Sequence, residues 1–319
     1  MIMLKYLPED FKKIAVIAPA GAVATERVVA GIACLEQLGA EVVLAPNFCC
    51  GGTSPYLSAP LPQRLNDLHW AFTQSGADAV WAIRGGCGSA QLLPHINYRK
   101  LRKNPLPLIG FSDICALQLG LLRNRAIKCA ISSPMAAKLP EVMALPELEL
   151  RQCAASAAMA LNCSFTSQRP QEEICPLPTQ TPLKRLNFEQ HPENFSGVAL
   201  ALNLSILVSL CGTPYIPKFT DRVIILEDLN EPIYKLDRML HQLSQNKTFR
   251  GCVGVIFGQF SNCARNEAES LAMQNIFTEF LQRENMPGLM NYPLGHDLPT
   301  LSINSNQLIK VEQERVFIA

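Results

Sequence analysis

Leu106-Pro107-Leu108-Ile109-Gly110-Phe111-Ser112-Asp113-Ile114 carries an apolar run into Gly, Ser and Asp, and then into a helical pattern with Leu117, Leu121 and Leu122 on one side. A short apolar strand that stops at a tight turn and resumes as a helix is the repeating unit of a parallel sheet covered by helices. The same alternation extends upstream. Residues 14–18 read as a first strand, and Thr25 as the cap of a helix that buries Val28, Ile32, Leu35 and Leu38 and stops at Gly39. Residues 41–45 read as a second strand, followed by a Gly/Pro/Ser loop to about Pro60. A helix with Leu65, Leu68 and Phe72 inward then leads to a third strand at 78–83. Downstream, 127–131 reads as one more strand and 145–161 as a helix.

This pattern predicts an α/β chain whose N-terminal part is a flavodoxin-like parallel sheet with flanking helices. The pattern lapses at about 164–181, where Pro170, Pro176 and Pro178 stand among polar residues, which predicts a linker. Beyond it the signals are mixed. Strands are expected near 223–226 and 252–257, helices near 233–243 and 267–281, and short β-like pieces to the end, which together make a mixed α/β domain. The expected division is an N-terminal domain over 1–162, a linker over 163–182 and a C-terminal domain over 183–319. A length of 319 residues fits two domains at roughly 150 residues each.

Composition narrows the classes of function. The 28 basic and 27 acidic side chains leave a formal charge of +1, which gives no electrostatic footprint for nucleic acid or for an anionic membrane. With 48% hydrophobic and 17% charged residues, the chain has a globular composition. Its 12 cysteines form no C-x-x-C pair and read as reduced, small hydrophobes; the adjacent Cys49 and Cys50 are poorly placed to bridge each other. His69, His95, His191, His241 and His296 form no ligand pair, so no metal is expected. Lys12 and Lys13 before the apolar stretch 14–24 imitate a signal peptide, but Pro19 and Gly21 interrupt it. The apolar stretch 198–217 is broken by Asn203, Ser205, Ser209 and Thr213, short of a membrane span. A cytoplasmic location is the default expectation.

Few residues can carry chemistry. Ser112, at a strand-to-helix turn, has the layout of a nucleophile elbow, in which the next amide and the helix start face developing negative charge. The G-x-S-x-G pattern lacks its last Gly, since position 114 is Ile, and from local spacing alone Ser112 and Asp113 read rather as a helix cap. Arg84-Gly85-Gly86-Cys87-Gly88-Ser89 presents backbone amides to an oxyanion or else forms a plain turn; it matches neither G-x-G-x-x-G nor a P-loop. A serine nucleophile needs a base. His296 ends the apolar run Tyr292-Pro293-Leu294-Gly295, where a side chain can be presented at a sheet edge, and Glu227 or Asp228, ending the run Val223-Ile224-Ile225-Leu226, can orient it.

Several motifs in one order resemble the LD-carboxypeptidases, a serine-peptidase family that also contains the microcin-immunity peptidases. They are Ala18-Pro19-Ala20-Gly21, Ile83-Arg84-Gly85-Gly86-Cys87-Gly88-Ser89, Gly110-Phe111-Ser112-Asp113, Ser133-Pro134-Met135, Asn203-Leu204-Ser205 with Gly212-Thr213-Pro214, Leu226-Glu227-Asp228 followed by Asp237-Arg238-Met239-Leu240, and Gly295-His296. The resemblance implies a Ser112–Glu227–His296 triad, an oxyanion hole from the amides of Gly86 and Asp113, and release of D-alanine from a murein tetrapeptide after the L-centre of its third residue. It implies cell-wall recycling, a homodimer, and neither metal nor organic cofactor. Arg84 is the expected partner of the substrate carboxylate. The alternatives are a microcin-type amide hydrolase and a muropeptide-binding homologue without turnover. The sequence departs from the family at Cys87, where Tyr is usual, at Ala20, at Ala201-Leu202, at Ser132-Ser133 and at 303–306.

Overall fold

The computed structural model describes residues 7–8, 11–48, 54–162, 172–173, 182–187, 191, 194–312 and 314–318. Two compact units divide the chain: Met1–Cys163 with Thr213–Pro217, and Ser164–Gly212 with Lys218–Ala319. The expected linker lies outside the described residues except at 172–173 and 182, as do Cys49 and Cys50.

The first unit runs β1 (Lys13–Ile17), α1 (Thr25–Gln37), β2 (Glu41–Leu44), α2 (Leu61–Thr73), β3 (Ala79–Ala82), α3 (Ser89–Leu92), α4 (Tyr98–Leu101), β4 (Leu108–Ile109), α5 (Ile114–Arg123), β5 (Ala130–Ser132), α6 (Leu139–Met143) and α7 (Glu147–Leu161). These five strands pair in parallel in the order β2-β1-β3-β4-β5, the flavodoxin-like order. Parallel strands connected by helices are covered on both faces, which is why β3 is apolar and buried at every position. Ile14, Val16, Trp81, Ile109 and Ile131 form the core with Leu35 of α1 and Ala157 of α7. The Trp81 indole would otherwise be an unpaired buried donor; its Nε1 donates to Pro134 O at 3.1 Å.

Two local expectations change. Ala24 rather than Thr25 occupies the cap of α1, because Ala24 is still extended and Thr25 is already helical. In α2, Leu65 is only half-buried, while Arg64 and Asp67 are buried beside Leu68 and Phe72. Both polar groups are satisfied: Asp67 accepts from the backbone N and the Nδ2 of Asn47 at 2.9 and 2.8 Å, and Arg64 is engaged as described below.

The second unit contains β6 (Glu172–Glu173), β7 (Lys184–Leu186), β8 (Asn194–Asn203), α8 (Leu204–Ser209), β9 (Arg222–Leu229), α9 (Ile233–Gln245), β10 (Gly254–Ser261), α10 (Glu267–Glu284), β11 (Gly288–Met290), β12 (Ile303–Asn304), β13 (Leu308–Glu312) and β14 (Arg315–Ile318). Its eight-stranded sheet has the order β6-β14-β13-β8-β9-β10-β11-β7. The inner four strands are parallel and the outer ones antiparallel, a mixed sheet. Crossovers through α9 and α10 return the chain to the same edge, so β9, β10 and β11 deliver their carboxyl ends to one side. The apolar stretch 198–217 resolves into the end of β8, the short α8 and a loop. Among the described residues no helix is long and apolar enough to cross a membrane.

Candidate active site

Ser112 sits between β4 and α5 with φ of 58°. Left-handed backbone at a non-glycine residue costs about 1–3 kcal/mol and persists only where its surroundings enforce it. Gln118 supplies part of that enforcement. It is buried on α5, and its Nε2 donates to Gly110 O at 2.9 Å and to Leu108 O and Ile131 O at 3.2 Å, tying the helix to the ends of β4 and β5. The helix-cap alternative fails at Asp113. This residue is at the N-cap of α5 but makes no side-chain cap bond. Its buried carboxylate instead accepts from Ser89 N at 2.9 Å, joining the Ser112 turn to the glycine-rich loop.

That loop approaches closely. A Cβ placed on Gly85 would lie 3.1 Å from Ser112 Cβ and 3.3 Å from both Ser112 Oγ and the Asp113 amide nitrogen. Gly86 follows with φ of +106°, a conformation that L side chains rarely adopt. Among the described residues the amides of Gly86 and Asp113 donate to no other group. Arg64, which sequence reasoning missed, anchors the loop from behind. Its Nη1 donates to Gly88 O at 2.9 Å and Pro19 O at 2.8 Å, its Nε to Ala59 O at 2.9 Å and its Nη2 to Gln91 Oε1 at 2.7 Å. The available signal was an Arg on the inward side of an amphipathic helix, four residues before Leu68. Arg84 is exposed and donates to Ala22 O at 2.7 Å, so it pairs with a carbonyl rather than with an acid.

In the second unit, Glu227 lies near the carboxyl end of β9, buried to 2% exposure, and its Oε2 is 2.6 Å from His296 Nδ1. A carboxylate can only accept, so Nδ1 carries the proton and the neutral ring has its lone pair on Nε2. This separates the two acids: Glu227 meets the imidazole, and Asp228 turns to Ser205 N at 2.9 Å. His296 lies beyond β11, which is flanked by β10 and β7. It is therefore presented past a strand end inside the sheet, not at the sheet edge expected from the sequence. The histidine loop is fastened on both sides. Gly295 N donates to Thr300 Oγ1 at 3.1 Å, Asp297 N to Gln259 Oε1 at 3.0 Å and Ser261 Oγ to Asp297 Oδ2 at 2.6 Å. Burial alone would lower the imidazole pKa. The bond to Glu227 and the charges of Glu227, Asp228 and Asp297 outweigh burial, and the value is raised above 6.5.

Of the site residues expected from the sequence, the structure brings Ser112, Asp113 and Gly86 to one constellation within the first unit, and Glu227 and His296 to another within the second. The other described histidines take no such place; His69 Nε2 accepts from Asn97 N at 3.0 Å, and His241 is exposed on α9. Among the described residues there is no cluster of His, Cys, Asp and Glu able to hold a metal, and the described cysteines are free thiols.

Residues 14–131 match the LD-carboxypeptidase N-terminal domain, and residues 196–311 match the LD-carboxypeptidase C-terminal domain. A murein tetrapeptide carboxypeptidase of Pseudomonas aeruginosa is 30% identical over 89% of this chain and 88% of its own length. The chain belongs to the LD-carboxypeptidase family. It is by class a peptidase. A probable murein peptide carboxypeptidase of Bacillus subtilis is 27% identical over 94% of this chain and 89% of its own. Two solved structures share the fold. An MccF-like protein from Bacillus anthracis superposes with a TM-score of 0.79 at 22% identity, covering 98% of this chain and 97% of its own. The muramoyltetrapeptide carboxypeptidase of Oxalobacter formigenes gives 0.74 at 20% identity, covering 96% and 98%.

Proposed function

We propose that the chain is a serine carboxypeptidase that releases the terminal D-alanine of a murein tetrapeptide through an acyl-enzyme, in cell-wall recycling. Ser112 is the nucleophile, His296 the general base and Glu227 the acid that orients it. The nucleophile belongs to an N-terminal domain (1–162) and the acid and base to a C-terminal domain (183–319), joined by a linker (163–182). The observation that carries this reading is the 2.6 Å contact between the buried Glu227 carboxylate and His296 Nδ1. It leaves Nε2 as the basic nitrogen, the atom that takes a serine proton in a triad.

The steps follow from that tautomer. Nε2 takes the Ser112 proton as Oγ attacks the scissile carbonyl, and Glu227 stabilises the imidazolium that forms. The amides of Gly86 and Asp113 hold the tetrahedral oxyanion, each worth roughly 3–4 kcal/mol in sites of this kind. The imidazolium then protonates the leaving D-alanine amine, and water, activated by the same nitrogen, cleaves the acyl-enzyme. Arg84, exposed beside the glycine-rich loop, receives the substrate carboxylate. The working protein is a cytoplasmic homodimer, acting without metal or organic cofactor.

A second reading, a microcin-type amide hydrolase, is favoured by neighbours such as MccF in complex with glutamyl sulfamoyl guanosine, which superposes with a TM-score of 0.77 at 17% identity. Mass spectrometry of products separates the readings. Murein tetrapeptide is expected to yield tripeptide plus alanine. Intact tetrapeptide with cleavage of an aminoacyl sulfamoyl nucleoside establishes the second reading instead. If neither is consumed while wild type and Ser112→Ala bind tetrapeptide equally, the chain is a muropeptide-binding protein without turnover.

A further inference from the structure

Behind the Glu227–His296 pair stands a second buried acid that the catalytic steps above do not use. Asn203, the last residue of β8, is in register with Glu227 on β9. Its Nδ2 donates to Glu227 Oε1 and to Asp228 Oδ1, both at 3.1 Å. The amide cannot flip without losing these bonds, because Oδ1 accepts from Ser205 Oγ at 2.8 Å and Ile206 N at 3.1 Å. Asp228, 2% exposed, is itself pinned: Oδ2 accepts from Ser205 N at 2.9 Å, and Oδ1 from Leu229 N at 2.8 Å. Adjacent strand residues normally point to opposite faces, yet one amide holds both carboxylates here. Glu227 therefore has Oε1 fixed by Asn203 and Oε2 bonded to His296.

We propose that Asp228 is a positioning residue: through Asn203 it locks the Glu227 carboxylate against His296, and its negative charge favours the protonated imidazole. The proposal rests on the reading of Glu227 and His296 as the acid–base pair. Electrostatics agree. Burial pushes the Asp228 carboxyl up to about 6, the bonds from Leu229, Ser205 and Asn203 work against that shift, and the Glu227 charge adds to it. Asp228 takes up a proton as the pH falls through about 6, and its support for the imidazolium fades there. The charged and titratable groups around the pair are Glu227 on the same strand, Asp297 beside the histidine, and Cys263 and Glu231 on the loops that follow β10 and β9.

Nitrogen-15 NMR of histidine-labelled full-length protein tests this without relying on turnover. The His296 ring is expected to titrate above 6.5 in the wild type. In Asp228→Asn the midpoint is expected to fall by about 0.5–1 pH unit, because a nearby negative charge is gone. The downfield Nδ1 proton should broaden in the same variant as Glu227 loses its fixed rotamer. Ser205→Ala, a milder change at a half-buried position, should shift the midpoint the same way by less and covers the case in which Asp228→Asn does not fold. With murein tetrapeptide, Asp228→Asn should lower kcat by up to about tenfold with KM little changed, the rate equivalent of about one pH unit of lost imidazolium stabilisation. An unmoved midpoint and an intact Nδ1 proton in the folded variants overturn the proposal. Full turnover by His296→Ala would instead overturn the catalytic reading and leave the NMR result standing on its own.

Discussion

His296 is a base whose proton affinity is set by opposing forces. Burial disfavours the imidazolium, while Glu227, bonded at 2.6 Å, and the charges of Asp228 and Asp297 favour it, and the balance lies on the raised side of 6.5. The proposed general-base role needs the ring neutral in the free enzyme, so kcat/KM should climb with pH along a limb whose midpoint lies above 6.5. A midpoint at or below that value in the pH–rate profile would show that the acids do not win. Glu227→Gln keeps the shape but puts the wrong tautomer within reach, and should lower kcat/KM by about 10³–10⁴-fold. The same shift is a stability statement. A raised folded value contributes stability that is fully present below 6.5 and is lost as the pH rises through the folded value. The denaturant midpoint of His296→Ala should therefore fall furthest below wild type on the acid side of neutrality and converge with it above.

At the scale of elements, the Ser112 turn and the glycine-rich loop act as one unit because Asp113 bonds to Ser89 N, Gly85 packs on Ser112 and Arg64 holds Gly88 O. Gly85→Ala adds a methyl 3.1 Å from Ser112 Cβ, tighter than ordinary contact, and should lower kcat about 10²-fold or more by displacing the proposed nucleophile, with circular dichroism unchanged. Arg64→Met leaves several buried carbonyls without their donor and should cost about 3 kcal/mol or more in urea denaturation. These couplings also mark what the sequence could show. The turn at Ser112 was legible because an apolar run meets Ser and Asp before a helical period. The role of Arg64 was not, since a lone Arg inside an amphipathic pattern reads as a solvated residue unless the three loops it binds are known. Likewise, only pairing of β8 with β9 puts Asn203 opposite Glu227, a contact between residues 24 positions apart that local pattern cannot supply.

Across the whole molecule, the alternation of strand and helix made the first, parallel sheet readable, because each parallel strand is a compact apolar run with its own turn. The second sheet was harder. β8 continues into α8 within one apolar stretch, and periodicity alone does not divide such a run. Family membership rests on both halves, with matches over 14–131 and 196–311, and it accounts for motifs that look weak one at a time. The departures at Cys87 and at Ala201-Leu202 leave the Glu227–His296 contact and the Ser112 turn in place. The most direct measurement is release of D-alanine from murein tetrapeptide by wild type and Ser112→Ala side by side. Wild type should produce alanine and tripeptide in equal amounts, and the folded variant should show at most the small residual rate that the remaining site supports. Undiminished release by Ser112→Ala would contradict the account.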